Sequence, residues 1–441
     1  MTFSPQTLSA QLASLNAKAG PPSRFIVAFS GGLDSTVLLH ALVQLRLETE
    51  VVAIHIDHGL QESSADWEHH CRQVAGSLGV EFRSVKVRVQ LESGKGPEAS
   101  AREARYSGLL AEMQADDWLL SAHHREDQAE TLLLNLIRGS GPAGVAGIGD
   151  IRRFGPGWLA RPLLNVDRQA LHDYATHCGL RWIEDPTNKD RNFDRNFLRH
   201  EVLPRLKMRW PDIAARLQRS AGHAGEASQL LVDLARIDLD ALGGEPGRLP
   251  IDRLSSLSPE RQRNVIRHSL RELGLSTPTA LQLDRVMQDL IPAREDAQPL
   301  VSWPGTSVRR YRNGLYLMPQ DLADVFDEIP VEAGRAELGS GLGTLAFEDG
   351  AQAGLDPVLL DHGLTVRRRE GGEEFQPAGQ QHTRKLKKLL QEEGVVPWMR
   401  NRLPLVYCGE RLVAVGDLWM VADATANPGV QVRWRARPAL H

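Results

Sequence analysis

Six consecutive residues, Ser30, Gly31, Gly32, Leu33, Asp34 and Ser35, separate an apolar, strand-like run (24–30) from an apolar, helix-like one (35–45). Strand, glycine turn and helix together present backbone N–H groups and the positive end of a helix dipole to a phosphate. Gly31 and Gly32 remove the Cβ atoms that would hold a phosphate away, while Ser30 and Ser35 add hydroxyl donors. The lysine with which a Walker loop grips a γ-phosphate is missing. Such a loop suits the release of pyrophosphate. Asp34 repels phosphate directly, so its expected role runs through Mg²⁺. That points to attack at the α-phosphate of a nucleotide, with transfer of AMP.

A second constellation lies in "SAHHREDQAETLLLNLI" (121–137). Helical spacing puts Ala129, Leu132, Leu133, Leu136 and Ile137 on a core stripe, and Asp127, Glu130 and Thr131 on another face. His123, His124, Asp127 and Glu130 are thereby expected together at the end of a strand. In "ASAREARY" (99–106), Arg102 stands one helical turn before Tyr106 and is the best-placed cation for a carboxylate or an α-phosphate.

The elements that must position these groups alternate along the first 150 residues. Strands are expected at 24–30, 51–57, 81–87 and 117–123, with helices at 35–45, 63–79, 97–113 and 125–139. Continuous apolar strands separated by helices imply α/β architecture, a buried parallel sheet with helices on both faces. Ligands of such sheets bind at the carboxyl ends of the strands. The glycine-rich stretch 139–149 reads as a loop, and helical material is expected to resume at "DRQALHDYATHCGL" (167–180) and to run, interrupted, to about 236. A hairpin is expected in "VSWPGTSVRRYRNGLYLM" (301–318), and strands with one basic helix after 364.

A chain of 441 residues implies two to three domains. No run of about 18 apolar residues offers a membrane span, and the N-terminus lacks the pattern of a secretory signal. Three widely spaced cysteines, Cys71, Cys178 and Cys408, argue against a disulfide framework and for a reduced, cytoplasmic setting. The net charge of −4 conceals strong local differences. Residues 321–361 carry −9, whereas 152–219 carry +6 and 367–437 carry +5. The two basic regions are candidate nucleic-acid surfaces.

"SGGLDS" (30–35) resembles the PP-loop of the ATP-pyrophosphatase superfamily. "HHREDQAET", "RGSG", "RPLL" (161–164), "EDPTN" (184–188), "RNFLRH" (195–200) and the terminal "KLKKLLQEEGVVPWMRNRLPLVY" together resemble the tRNA(Ile)-lysidine synthetase family over nearly the whole chain. The resemblance implies a PP-loop, adenine nucleotide alpha hydrolase-like domain followed by two smaller modules, the first largely helical and the second mixed α+β. It implies ATP and Mg²⁺, a tRNA(Ile) with a CAU anticodon, and free L-lysine. The wobble cytidine would be adenylated on its 2-oxygen, and the ε-amine of lysine would displace AMP to give lysidine. Ser30, Gly31, Gly32, Leu33, Asp34, Ser35 and His55 would then bind ATP. Asp127 and Glu130 would hold the lysine ammonium and take its proton, with Arg102 and His123 completing the catalytic group.

The implied organisation is a catalytic domain with a helical extension (1–220), a middle tRNA-recognition domain (221–320), an acidic connector (321–361) and a C-terminal tRNA-binding domain (362–441). Asn188, Arg191, Asn192, Arg195, Asn196 and Arg199 fall at helical spacings suited to RNA. Arg384, Lys385, Lys387, Lys388, Arg400 and Arg402 would form a second contact, with the acceptor arm. One departure is "REGGEEFQP" (369–377), where the family often has a Gly-Asp-Arg-Phe-like run. No obligatory protein partner is expected; a homodimer is compatible with the sequence. A thiolating PP-loop enzyme would need cysteines near the site, and an amidotransferase-type synthetase would leave the basic outer modules unexplained. A nucleotide-dependent RNA-binding protein with a degenerate site conflicts with intact Asp34, Asp127 and Glu130.

Overall fold

Arg24–Ala28 (β1) follows a helix at Pro5–Ala19 (α1), which opens with a reciprocal Ser4–Thr7 capping box and buries Leu8, Leu12 and Leu15. In chain order come α2 (Leu33–Gln44), β2 (Glu50–Asp57), α3 (Ser64–Ser77), β3 (Glu81–Lys86), α4 (Pro97–Ala111), β4 (Trp118–Leu120) and α5 (Arg125–Ile137). They are followed by α6 (Pro142–Val145), β5 (Ile151–Phe154), β6 (Gly157–Ala160) and α7 (Arg168–His177). The computed structural model describes residues 2–59, 64–89, 97–185, 190–294, 297–320, 326–339, 341–438 and 440.

The sheet runs β3-β2-β1-β4-β6-β5. All pairings are parallel except the β5–β6 hairpin. Side chains alternate across it. Phe25 and Val27 pack with Leu38, Leu42 and Leu171 on one face, whereas Ile26 packs with Leu109, Met113 and Leu119 on the other. Both faces are therefore covered. The chain leaves β1 toward β2 on one side and returns as β4 on the other, so the carboxyl ends of β1 and β4 form a topological switch point. At the opposite end, buried Arg24 donates to Asp117 at 2.6 Å.

Two local expectations need correction. Helix α2 begins at Leu33 rather than Ser35, so Asp34 lies in its first turn. Residues 139–149 contain the short α6; the helix expected from 167 is α7, and between the two lies the β5–β6 hairpin, for which the sequence offered no expectation. Its tight approach depends on Gly157, where a Cβ would lie 2.2 Å from the carbonyl of Asp117. No apolar periodicity announces such a packing.

Residues divide into two compact units, Met1–Leu230 and Leu231–His441, the division falling within the helix Ile213–Leu242. Before it, Asp194–Phe197 (α8) leads through a π turn (Leu198–Val202) into α9 (Leu203–Arg209). In the second unit, short helices and a four-stranded antiparallel sheet share a core that includes Leu249, Val265, Ile266, Leu270, Val308 and Leu315. The expected hairpin is there as Leu300–Trp303 with Thr306–Tyr311, extended by Gly314–Met318. Among the described residues, the last module contains two five-stranded sheets, a two-stranded ribbon (Glu374–Phe375 with Arg384–Lys385) and the helix Leu386–Glu393.

The stretch 321–361 is not a connector. Of its described residues, Arg335–Glu337 and Thr344–Ala351 are strands of the last module, and Thr344–Ala351 pairs with Gly429–Arg435. Glu348 pairs with Arg433 at 3.3 Å and with Arg435. Part of the acidic excess thus complements a basic strand across the ladder. The alternation that would have revealed this strand is broken by a bulge between Glu348 and Ala351.

Candidate active site

The loop after β1 turns on Gly31, whose φ of +77° disfavours any side chain; a Cβ there would also lie 2.7 Å from the Cys71 sulfur. Gly32 is the N-cap of α2, and its amide donates to Ser30 Oγ at 3.4 Å. Ser30 and Ser35 hydroxyls meet at 3.1 Å, and Ser35 also donates to the Gly32 carbonyl. The segment after α7 closes over this turn, where the Ile183 amide donates to the Gly31 carbonyl at 2.9 Å.

A cavity of about 650 Å³ opens at the switch point, lined by Ser30, Asp34, His55, Tyr106, His123 and Asp127 among others. Gly32, Leu33 and Ser35 also line it, so the loop and the β4–α5 constellation share one space. His55 Nδ1 lies 3.0 Å from the Phe29 carbonyl, which accepts and so assigns the proton to Nδ1. Ser121 Oγ lies 2.6 Å from His123 Nδ1. Burial pushes the His123 imidazole down to about 3, against the pull of Asp127. It is neutral at physiological pH.

His124 is a different case. Burial would lower it, but Asp127, Glu126 and Asp34 together raise it above the ordinary imidazole value. Its Nδ1 is 3.2 Å from Glu126, and its Nε2 lies 3.4 Å from Asp127 and 3.7 Å from Asp34. Burial raises the Asp34 carboxyl, opposed by His124 and reinforced by Asp127. Asp34 Oδ1 is buried without a hydrogen-bond partner. A hard oxygen ligand without a donor, in the first turn beside the loop, fits a cation carried in with phosphates.

Beneath lies a quartet of charges. Arg195 donates to Glu130 at 2.8 Å and to Asp127 at 2.9 Å. Arg199 donates to both oxygens of Glu130, at 2.7 and 2.9 Å, and to Asp127 at 3.2 Å. Glu130 has no exposed surface. Despite burial, which acts the other way, His124, Arg195 and His123 hold the Asp127 carboxyl down at about 2. The sequence set the carboxylates and the arginines in separate roles; the fold brings all four side chains into contact.

Other expected residues fall elsewhere. Glu130 lines a smaller neighbouring pocket with Arg168, Arg199 and Lys207. Arg102 is exposed, its guanidinium 5.1 Å from the Tyr106 ring centre, and it is Arg105 that lines the cavity. Both arginines were visible in "ASAREARY", but choosing between them required the phase of α4 against the sheet. Arg168, Trp182 and His200 also line the cavity without having been singled out; they come from segments remote in sequence that no motif joins. Asn196 is buried and donates to the Asp190 carbonyl at 2.8 Å, while exposed Arg191 pairs with Glu201 at 2.6 Å. Asn188 lies outside the described residues.

In the second unit, Arg384 pairs with Glu392, while Lys385, Lys387 and Lys388 are exposed. Arg400 donates to the Val395 carbonyl and the Tyr311 hydroxyl, each at 2.9 Å, and Arg402 to the Trp398 carbonyl at 2.8 Å. The unusual acidic run has a local structural use. Glu373 accepts from the amides of Glu370 and Gly371, and Arg369 lies 3.1 Å away.

Residues 5–206 match the family model of the PP-loop domain, 249–316 that of the TilS substrate binding domain, and 364–435 that of the TilS substrate C-terminal domain. The chain is 42% identical to the tRNA(Ile)-lysidine synthase of Alkalilimnicola ehrlichii, covering 98% of this chain and 96% of that protein. It is 40% identical to the proteins of that name from Coxiella burnetii (94% and 92% covered) and Methylococcus capsulatus (96% and 99%). Among solved structures, a U34-tRNA thiolase, NcsA, of Methanococcus maripaludis aligns with 49% of this chain and 79% of its own, at 16% identity and a TM-score of 0.41. No helix of the described residues is long and apolar enough to cross a membrane. With three matching domain models in order, and relatives aligned almost end to end, the chain belongs to the tRNA(Ile)-lysidine synthase family, ligases built on a PP-loop ATP-binding domain.

Proposed function

We propose that this protein joins L-lysine to the wobble cytidine of a CAU-anticodon tRNA(Ile), using ATP and releasing AMP and pyrophosphate. The observation that carries the reading is the shared cavity. The lysine-less phosphate loop, unpartnered Asp34 Oδ1 and the His123–Asp127 strand end all open onto it. In the first step the cytidine 2-oxygen attacks the α-phosphorus and pyrophosphate leaves. In the second, the lysine ε-nitrogen attacks ring carbon 2, the C–O bond breaks, AMP departs with that oxygen, and the nitrogen loses a proton.

The loop amides and the Ser30 and Ser35 hydroxyls grip the leaving pyrophosphate. Mg²⁺, when bound, would neutralise phosphate charge, and Asp34 is the residue that would hold it. His55 stands at the end of β2 for the nucleoside. Neutral His123 can donate or accept a hydrogen bond without bringing a charge to the base.

Asp127 and Glu130 remain the pair proposed for the lysine ammonium. Their guanidinium partners already neutralise them, so Arg195 and Arg199 must share them with, or yield them to, the incoming cation. RNA phosphates offer the arginines equivalent charge-assisted partners, which makes the exchange a near-even one. With its carboxyl held at about 2, Asp127 is a weak base as it stands. Release of Arg195 would raise it toward the range useful for taking the lysine proton. A thiolation reading is disfavoured by Cys71, buried behind Gly31 with its thiol pushed up to about 12.

The test is incorporation of labelled lysine into tRNA(Ile) bearing CAU, with ATP and Mg²⁺, against a methionine tRNA with the same anticodon. Incorporation into the first tRNA alone, lost in Asp34→Ala, is the expected result. ATP turnover without lysine transfer would overturn the reading.

A further inference from the structure

Helix α8 begins immediately after Phe193 and ends on Phe197, one turn later, with the Phe197 amide donating to the Phe193 carbonyl at 2.9 Å. These are large aromatic residues, yet they are 42% and 49% exposed. The arginines that follow each by two residues, Arg195 and Arg199, turn inward onto Asp127 and Glu130. Two residues along a helix is about 200° of rotation, so the phenylalanines face the other way, toward solvent. Inward packing in this segment is supplied by Asn196, Leu198 and Leu203, all buried. Phe193 and Phe197 contribute little to that core.

The position of the pair is what gives it a use. Arg199 and His200, which follow Phe197 on the same stretch of chain, both line the cavity. Phe197 thus stands two residues along the chain from the cavity lining, its ring turned to solvent. It lies in the segment 152–219, whose net charge is +6. Of the arginines and asparagines expected to give this helix its RNA-facing side, Arg195 and Arg199 are engaged with carboxylates and Asn196 with the Asp190 carbonyl. Outward the segment shows Phe193 and Phe197 together with Arg191, Asn192 and Asp194.

We propose that Phe193 and Phe197 form a stacking platform for unpaired nucleobases adjoining the base that enters the cavity. Single-stranded RNA is recognised when splayed bases stack on aromatic side chains, and each stacked base typically contributes about tenfold or more in affinity. A base drawn out of an anticodon loop into a cavity leaves its neighbours unstacked, and this face replaces their lost partners. The occupant is thus single-stranded RNA of the substrate, an inference that rests on the tRNA reading above.

The experiment uses the full-length protein and tRNA(Ile) bearing 2-aminopurine beside the wobble cytidine, whose fluorescence is quenched on stacking. Phe193→Leu, Phe197→Leu and the double variant keep apolar bulk but remove the rings; Phe→Tyr at each position restores an aromatic face. The proposal expects quenching with wild type and with the Tyr variants, and its loss with the double Leu variant. It also expects tRNA Kd to rise about tenfold for each stacked base lost, with melting temperature and ATP affinity reporting the integrity of the fold. Unchanged quenching and a tRNA Kd within twofold of wild type would overturn it. So would a double Leu variant whose defect is loss of self-association at unchanged tRNA affinity, since that would assign the face to a second copy of the chain. Failure of the wild-type protein to modify the tRNA would instead strike the underlying reading, and the two failures are distinguishable.

Discussion

Gly31 shows how narrowly the loop is determined at the scale of one residue. Its φ of +77° and the Cys71 sulfur 2.7 Å from any Cβ act together. Gly31→Ala should therefore lose about 1–2 kcal/mol for the backbone alone, with more from the contact. Urea denaturation would register the loss, and ATP affinity should fall with it; an unchanged midpoint would mean the turn is not held as described. His123 contributes one pH dependence of stability. Its imidazole is held at about 3, whereas the unfolded chain titrates near the ordinary value of 6.5. Between those values the unfolded state binds the extra proton, so stability rises with pH across the window and is lost as pH falls through it. On the order of 3 kcal/mol should disappear between pH 7 and pH 4 from this group. His123→Gln, which cannot titrate, should flatten that slope in pH-dependent denaturation.

At the scale of elements, α4 seats on the sheet through Gly108, where a Cβ would lie 2.7 Å from Val87 and 3.2 Å from Ile56 side chains. Gly108→Val should push the helix outward, costing about 1–3 kcal/mol. Since the same helix carries Arg105 and Tyr106 into the cavity, KM for ATP or tRNA should rise together with the loss of stability. A drop in melting temperature with unaltered KM would separate the helix seat from the site. The parallel core was legible because continuous apolar strands bounded by amphipathic helices admit few other arrangements, and the loop was legible because glycine, serine and aspartate were adjacent. The β5–β6 hairpin was not, because its stability comes from pairing with β4 and a close backbone approach at Gly157. Nor was the Asp127–Glu130–Arg195–Arg199 quartet, which joins segments about 65 residues apart. Charge-pair partners across such a separation leave no periodic trace.

For the whole molecule, a short anticodon loop shared by two tRNAs cannot by itself specify one of them. A second contact is the proposed use of the outer modules. Lys387 and Lys388, exposed on the helix Leu386–Glu393, are the residues we propose for its phosphate contacts. Lys387→Ala with Lys388→Ala should weaken tRNA binding and reduce the slope of log K against log salt by about 1.5–2, as two lost phosphate contacts require. An unchanged slope would remove this helix from the RNA surface. The central claim, that the loop lets pyrophosphate go so that AMP can activate the base, has its own isotopic signature. With ¹⁸O at the 2-position of the wobble cytidine, the account predicts that the label leaves in AMP, one atom for each lysine incorporated. Label recovered in pyrophosphate or water, or AMP released without it, would contradict the account.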